Sequence, residues 1–143
     1  MGDKALVGIA GVHFVVGELS RRDWIALPTI RNTMGIDILA SKGAKNLQVQ
    51  VKARRNSERW LLSIGAEKLA DKNLFYIFVN LKEKEFPEYF VVPSDVVSGY
   101  VARTHKLFLD AGGGDSSMRQ FPNVYEGFDL NKYKGKWESL EST

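Results

Sequence analysis

Apolar positions along the chain change their spacing from segment to segment, and the spacing predicts the elements. Between residues 4 and 22 they recur every three or four positions, from Ala5 to Leu19, which indicates an amphipathic helix. Residues 35–41 and 47–54 instead alternate between apolar and polar side chains, as half-buried strands do. The sequence therefore predicts a helix followed by two strands.

The remaining segments continue a mixed order of helices and strands. Residues 74–81 are almost all apolar, aromatic or β-branched, which predicts a central strand buried on both faces. The other predicted elements are short strands at 24–29, 60–64 and 89–92, a helical turn at 66–71 and a helix from Ser94, a suitable N-cap, to about Asp110. Residues 115–128 are predicted to be irregular. This order predicts an α/β or α+β fold with helices flanking a mixed sheet.

The turn between the two alternating strands determines how they pair. If Gly43 opens a two-residue type II′ turn, Lys42 lies beside Lys45 and Ile38 faces Val49. The apolar side chains of both strands then form one continuous face. This register is the basis for the candidate site, because a slip of one residue would exchange the two faces.

On the polar face, the same register places Asp37 opposite Gln50 and Lys52 opposite Gly35. A carboxylate, an amide and an ammonium group would therefore meet in one patch. The glycine would leave room for a ligand beside the lysine. We interpret this patch as the candidate functional site.

Length and composition indicate a single domain over residues 1–143, with a tail from about 113 to 143 that packs back through Tyr133, Trp137 and Leu140. The chain is 44% hydrophobic and 26% charged, as globular domains are. It has no cysteine, which excludes disulfides and thiolate metal sites. No apolar run is long enough to span a membrane, and the first residues lack a signal-peptide pattern. We therefore expect a cytoplasmic protein without a membrane partner.

Positive charge is concentrated beside the candidate site. The net charge is +3, but residues 42–59 contain a single acid, Glu58. The cations of this segment are Lys42, Lys45, Lys52, Arg54, Arg55 and Arg59. Such a cluster indicates an anionic partner that carries phosphate. The alternative is a solvated hairpin end, because strand edges and turns also favour Lys and Arg.

The donors of the patch are oxygen atoms, which suit Mg²⁺ or Mn²⁺. Asp37 and the side-chain oxygen of Gln50 are two of them, and a backbone carbonyl is a third. Glu18, at the margin of the helix, is a fourth if it points into the patch; otherwise it pairs with Arg22 four residues later. A hard cation next to Lys52 suits phosphodiester hydrolysis, in which the lysine stabilises the developing charge.

Glu18, the Gly-Ile-Asp at 35–37 and the Gln-Val-Lys at 50–52 resemble the motif of the PD-(D/E)xK nuclease superfamily. The QxK form is similar to that of Holliday-junction resolvases and Mrr-like restriction endonucleases. The resemblance implies a restriction-endonuclease-like core of helix, three-stranded meander, helix and a further strand. Its motif implies these roles: Asp37 as the metal aspartate, Gln50 at the (D/E) position, Val51 lending its carbonyl to the metal, Lys52 as the lysine and Glu18 as the acid of the first helix.

The function implied by the resemblance is a Mg²⁺- or Mn²⁺-dependent endonuclease that hydrolyses DNA and acts as a homodimer. Because Gln50 is a neutral amide, the implied activity depends on Glu18 as a second carboxylate. Two alternatives stay open. One is a weak or inactive nuclease-fold module that binds nucleic acid through Lys42, Lys45, Arg54, Arg55 and Arg59. The other is a partner-binding protein that uses the aromatic tail around Trp137.

Overall fold

The computed structural model describes residues 3–30, 35–114, 118–122 and 127–142. Its helices and strands, in chain order, are α1 (Asp3–Ser20), β1 (Ile25–Pro28), β2 (Ile38–Lys42), β3 (Lys45–Arg55), β4 (Trp60–Ser63), β5 (Leu74–Leu81), β6 (Glu88–Pro93), α2 (Ser94–Asp110) and β7 (Met118–Phe121). Short 3₁₀ helices lie between β4 and β5, at Ile64–Lys68, and after β7, at Leu130–Tyr133 and Trp137–Leu140.

The centre of the fold is a five-stranded mixed sheet in the order β1-β2-β3-β5-β6. Only β3 and β5 run parallel, and the other neighbours are antiparallel. The predicted central strand is confirmed, because all eight residues of β5 are buried. β4 and β7 form a second, two-stranded sheet. The α+β class predicted from the sequence is thus confirmed. None of the helices in the described ranges is long and apolar enough to cross a membrane.

Two hydrophobic clusters cover the two faces of the large sheet. On one face α1 packs through Val15 and Leu19, and Trp137 and Leu140 of the C-terminal segment join the same cluster. The other face packs against α2 and the small sheet, in a cluster rich in aromatic rings such as Trp60. Alternate residues of β3 and β5 therefore point towards different clusters, one on the α1 side and one on the α2 side.

The predicted register of the β2–β3 hairpin is confirmed. Ile38 pairs with Val49 and Lys42 with Lys45, across a two-residue turn. Gly43 has a φ of +60°, which glycine adopts without the steric cost of a Cβ atom. The pairing also places Gln50 and Lys52 on the face of the sheet turned towards α2, because Val49 and Val51 belong to the α1 side.

Two local predictions are wrong. The Ser94 hydroxyl does not cap α2; it accepts from the Asp71 N–H at 2.9 Å and donates to the Asp71 carbonyl at 2.7 Å, so it clamps the segment before β5. Residues 115–128, predicted to be irregular, contain β7, because Phe121 pairs with Trp60 and is fully buried. The rest of that prediction falls partly on 115–117 and 123–126, which lie outside the described residues.

Candidate functional site

Asp37 lies where the ladder between β2 and β3 ends. The last regular pair is Ile38 with Val49, and the Asp37 N–H donates to the Val49 carbonyl at 2.9 Å. Beyond it, the Val51 N–H donates to Asp37 Oδ2 at 2.7 Å. The carboxylate therefore takes the place of the backbone acceptor that a longer β2 would have supplied. Its other oxygen, Oδ1, has no hydrogen bond to another described residue.

Thr29, which the sequence analysis did not single out, holds the same segment from the opposite side. Its N–H donates to the Asp37 carbonyl at 2.9 Å, and its hydroxyl donates to the Ile36 carbonyl at 2.6 Å. The available signal was weak: a single polar residue directly after an edge strand that ends in Pro28. These contacts fix the backbone of Asp37 between β1 and β3.

Gly35 lies against Gln50 and not opposite Lys52, so that prediction is wrong. Its φ is +76°, and a Cβ atom there would lie 3.4 Å from Gln50 Oε1. The physical reason is the early end of the ladder at Ile38, after which residues 35–37 no longer follow the strand register. The glycine still leaves room, but the room is next to the amide.

Gln50, Lys52 and Tyr76 line one small pocket of about 250 Å³ on the α2 side of the sheet, together with Gly35. The 3₁₀ helix Ile64–Lys68 contributes to its wall. Gln50 Oε1 and the Tyr76 hydroxyl are both buried, and neither has a hydrogen-bond partner within the described ranges. Burial raises the pKa of Tyr76 to about 12, so the hydroxyl keeps its proton at neutral pH. Tyr76 is a site residue that strand patterning cannot distinguish from an ordinary core aromatic.

Burial shapes the electrostatics of Asp37 and Lys52. It raises the pKa of Asp37 against the opposing effects of the Val51 N–H and the Lys52 charge. It likewise lowers the pKa of Lys52, which the charge of Asp37 partly offsets. Lys52 forms no hydrogen bond or ion pair with another described residue. Two groups whose charged forms are disfavoured thus lie side by side, an arrangement more typical of functional sites than of structural ion pairs.

The oxygen atoms at this edge fit a hard divalent cation. Asp37 Oδ1 and Gln50 Oε1 form no hydrogen bond with a described residue, and the Val51 carbonyl points to the same strand edge as its N–H, towards Asp37. No group of three or more His, Cys, Asp or Glu residues in the described ranges has the arrangement of a metal site. A cation held here would have few protein ligands and would keep several waters.

Glu18 is not part of this arrangement, so its predicted role as a site acid is wrong. Its carboxylate pairs with Arg21 at 3.3 Å and with Arg22 at 3.2 Å. It lines a different surface depression, beside Tyr89. Val12 of α1 borders the groove that contains Asp37, and Glu18 lies about 9 Å further along the helix axis at 1.5 Å per residue. The ion pair one turn away, the alternative from the sequence, is what the structure contains.

The predicted basic cluster separates into two groups at opposite ends of β3. Lys42 belongs to the turn end, where its Nζ donates to the Arg22 carbonyl at 3.0 Å and pairs with Glu141 at 2.7 Å. Lys45 lies beside it across the turn. About 33 Å of extended strand separate Lys45 from Arg55. The five predicted nucleic-acid contacts therefore do not form one groove.

The other group surrounds a cleft of about 570 Å³ that begins at Lys52. Its cations are Lys4, Lys52, Arg54 and Arg55, and no acidic residue lines it. Trp60 and Leu61 contribute to its apolar wall. Lys4 comes from the start of α1, and nothing in the sequence indicated that it would join this group. Arg59 is exposed nearby, and its carbonyl accepts from the Arg54 guanidinium at 3.4 Å.

Comparison with solved structures finds a similar fold in a homing endonuclease. No protein-family profile matches the chain, and no curated protein matches its sequence. Among solved structures, the bacterial homing endonuclease I-Ssp6803I has a TM-score of 0.58 and 16% identity, covering 99% of this chain and 94% of that one. The Holliday junction resolvase Hjc of Archaeoglobus fulgidus has a TM-score of 0.46 and 16% identity, over 61% of this chain and 72% of that one. The chain therefore shares its fold, along nearly its whole length, with a homing endonuclease.

Proposed function

We propose that the protein is a metal-dependent endonuclease that hydrolyses phosphodiester bonds of DNA, with a QxK variant of the PD-(D/E)xK site. One arrangement carries the proposal: Asp37 accepts from the N–H of Val51, the residue between Gln50 and Lys52, and Lys52 lines both the Gln50 pocket and a cleft whose charged residues are all cations. The fold shared with a homing endonuclease supports it.

Asp37, Gln50 and the Val51 carbonyl would hold Mg²⁺ or Mn²⁺ at this edge. When bound, the ion would polarise the phosphate and lower the pKa of a coordinated water. The contribution of the chain is to keep the donors in place before substrate arrives. The Val51 N–H and Thr29 fix Asp37 and leave one carboxylate oxygen without a hydrogen bond to a described residue.

Lys52 is the group that meets the phosphate. Its amino group has no ion-pair partner in the described ranges, so no existing contact must break before it binds an anion. It is partly buried, and a charge in a partly desolvated position interacts more strongly with a phosphate than one in bulk water. We propose that it stabilises the negative charge that develops on the phosphate during in-line attack.

The cation-lined cleft would position the DNA strand. Lys4, Arg54 and Arg55 provide positive charge along one side of Lys52, as phosphate contacts require. Because Lys52 borders both this cleft and the pocket of Gln50, a strand lying in the cleft would bring its next phosphate to the Asp37 edge. Apolar side chains in the wall suit sugars and bases between the phosphates.

The direct test is cleavage of supercoiled plasmid by the purified protein. We expect nicked circles with Mg²⁺ or Mn²⁺ and no product with excess EDTA, because no other described group could activate water in this site. Cutting both strands requires two sites, so the homodimer implied by the resemblance would also yield linear DNA. If branched, single-stranded, methylated and plasmid DNA all remain uncut although they bind, the enzyme proposal is wrong.

That outcome would favour the second candidate, a nuclease-fold module that binds nucleic acid without cutting it. The observation in its favour is specific: Asp37 is the one carboxylate at the described edge, since Glu18 pairs elsewhere. Cation affinity rises with carboxylate count, so a site with one carboxylate and one amide binds Mg²⁺ weakly. Titration to about 10 mM metal separates a weak site from an inactive one.

The cleft makes a prediction about binding alone. Arg55→Ala should weaken DNA binding by about five- to tenfold at low salt and reduce the slope of log K against log salt by about one. Lys45→Ala removes the same charge from the same strand and is the matched control, with a change below about twofold. Both are measured by fluorescence anisotropy with catalytic metal omitted. Equal losses in the two variants would mean that the whole of β3, and not the cleft, contacts DNA.

A further inference from the structure

Two buried polar atoms without partners among the described residues lie in the same small pocket. Tyr76 is 1% exposed, and neither its hydroxyl nor Gln50 Oε1 forms a hydrogen bond with a residue that the structure describes. The two residues are paired neighbours on β3 and β5, and both line the 250 Å³ pocket with Lys52. Buried polar groups are nearly always hydrogen-bonded, so two such exceptions in one pocket call for a common explanation.

Gln50 needs a group that orients it. A carboxylate can present either oxygen to a cation, but the oxygen and nitrogen of an amide are nearly equal in size and opposite in function. If the amide nitrogen faced the Asp37 edge, its hydrogens would repel a cation. A glutamine at this position therefore works as a ligand only when a neighbour favours one of the two orientations.

Tyr76 is placed to do so. Its ring is held against Phe78, with 5.8 Å between centroids and an interplanar angle of 11°, inside the aromatic cluster. The hydroxyl therefore has a fixed position, which a surface side chain would not have. A hydroxyl can donate to an oxygen, and the pocket is large enough for a water with three polar neighbours, namely Tyr76, Gln50 and Lys52.

We propose that the Tyr76 hydroxyl donates a hydrogen bond to one bound water in this pocket and that this water donates to Gln50 Oε1. The amide oxygen is thereby turned to the Asp37 edge. Tyr76 is thus a positioning residue. It lets a neutral amide act as a cation ligand at a position where a carboxylate would not need to be oriented. The inference rests on the proposed function, because the orientation matters only if a cation binds at that edge.

The first experiment needs no metal. In ¹⁵N-labelled protein, Tyr76→Phe should shift the side-chain amide resonances of Gln50, because the hydrogen bond to its amide oxygen is lost. Tyr100→Phe removes a hydroxyl from the same aromatic cluster outside the pocket and should leave those resonances unchanged. Unchanged Gln50 resonances in Tyr76→Phe would overturn the inference.

The second experiment measures Mn²⁺ affinity by calorimetry in a double-mutant cycle. Tyr76→Phe should weaken Mn²⁺ binding by about five- to tenfold, within the range for residues that orient metal ligands. In a Gln50→Glu background the same change should weaken binding by less than about twofold, because a carboxylate presents oxygen in both orientations. An equal loss in both backgrounds would assign Tyr76 a merely structural role and overturn the inference.

The outcomes also separate this inference from the function on which it rests. If the wild type binds Mn²⁺ and Tyr76→Phe binds it equally well, the positioning role is wrong and the nuclease proposal stands. If the wild type binds no Mn²⁺ or Mg²⁺, the proposed function fails, and with it the role of Tyr76 in metal binding. Thermal unfolding of Tyr76→Phe should match the wild type, which excludes unfolding as the cause of either result.

Discussion

Asp37→Asn should abolish DNA cleavage, by more than about a hundredfold, while DNA binding and the fold stay intact. Asparagine keeps an oxygen that can accept the Val51 N–H, so the local backbone arrangement should persist. The substitution removes the negative charge. Among the described residues, Asp37 is the one carboxylate at this edge that a cation could bind. Initial rates on supercoiled plasmid and anisotropy binding curves, each with saturating Mg²⁺ and with EDTA, measure the two effects separately.

The same variant should be at least as stable as the wild type at neutral pH. The pKa of Asp37 is raised in the folded state, so folding favours the neutral acid. The wild type is therefore relatively more stable at low pH and loses that contribution as pH rises through the folded-state pKa. Asparagine does not titrate, so the stability of the variant relative to the wild type should be unchanged near pH 3 and should be greatest by neutral pH. Thermal unfolding without metal should show this as an equal or higher Tm.

The control for Asp37→Asn is Asp110→Asn, which removes the same charge from an exposed position at the end of α2. It should leave cleavage within about twofold of the wild type. Retained cleavage in Asp37→Asn would contradict the site assignment. A large loss of stability in that variant would instead show that the carboxylate is a structural acceptor for Val51.

The hairpin register could be predicted because two independent signals agreed. Period-two alternation defined the faces, and Gly43 fixed the turn, so the pairing of Ile38 with Val49 followed. The prediction failed one step later, at Gly35. There a side-chain oxygen of Asp37 replaces a backbone acceptor, and Thr29 binds from the position directly after β1. No local pattern encodes such a long-range hydrogen bond.

The predicted basic residues do not form one groove, and the reason is geometrical. Lys42, Lys45, Arg54 and Arg55 are close in sequence, but an extended strand advances about 3.3 Å per residue and carries its two ends apart. The cleft is completed instead by Lys4, which is distant in sequence and near in space. A cluster of charges in sequence becomes a surface patch only when the intervening chain turns back.

Glu18 shows how a resemblance and a local rule can compete. The motif implied a site acid, whereas the spacing to Arg22 indicated an ion pair within α1, and the structure contains the ion pair. The helix also places Glu18 beyond the groove, so changing its rotamer would not bring it to Asp37. Asp37 is then the one carboxylate of the candidate site among the described residues. Whether residue 50 is an amide or a carboxylate therefore determines the negative charge of the site.

Gln50→Glu should therefore increase metal affinity and lower the Mg²⁺ concentration for half-maximal cleavage by about tenfold, because a second carboxylate joins Asp37. Without metal, the two like charges repel, and the variant should unfold at a lower temperature than the wild type. Metal should reverse this order, since each tenfold gain in affinity adds about 1.4 kcal/mol to the stability of the bound form at saturating ion.

The matched control is Gln48→Glu, the same substitution on the same strand and the same face. Gln48 is exposed and lines a separate depression with Asp71 and Asn73, so the new charge lies away from the Asp37 edge. Its metal requirement should stay within about twofold of the wild type. If Gln50→Glu binds metal no more tightly than Gln48→Glu, residue 50 is not a ligand, and Asp37 would have to bind the ion with water and phosphate alone. If Gln50→Glu gains affinity and Gln48→Glu does not, the amide is the element that keeps the natural site weak.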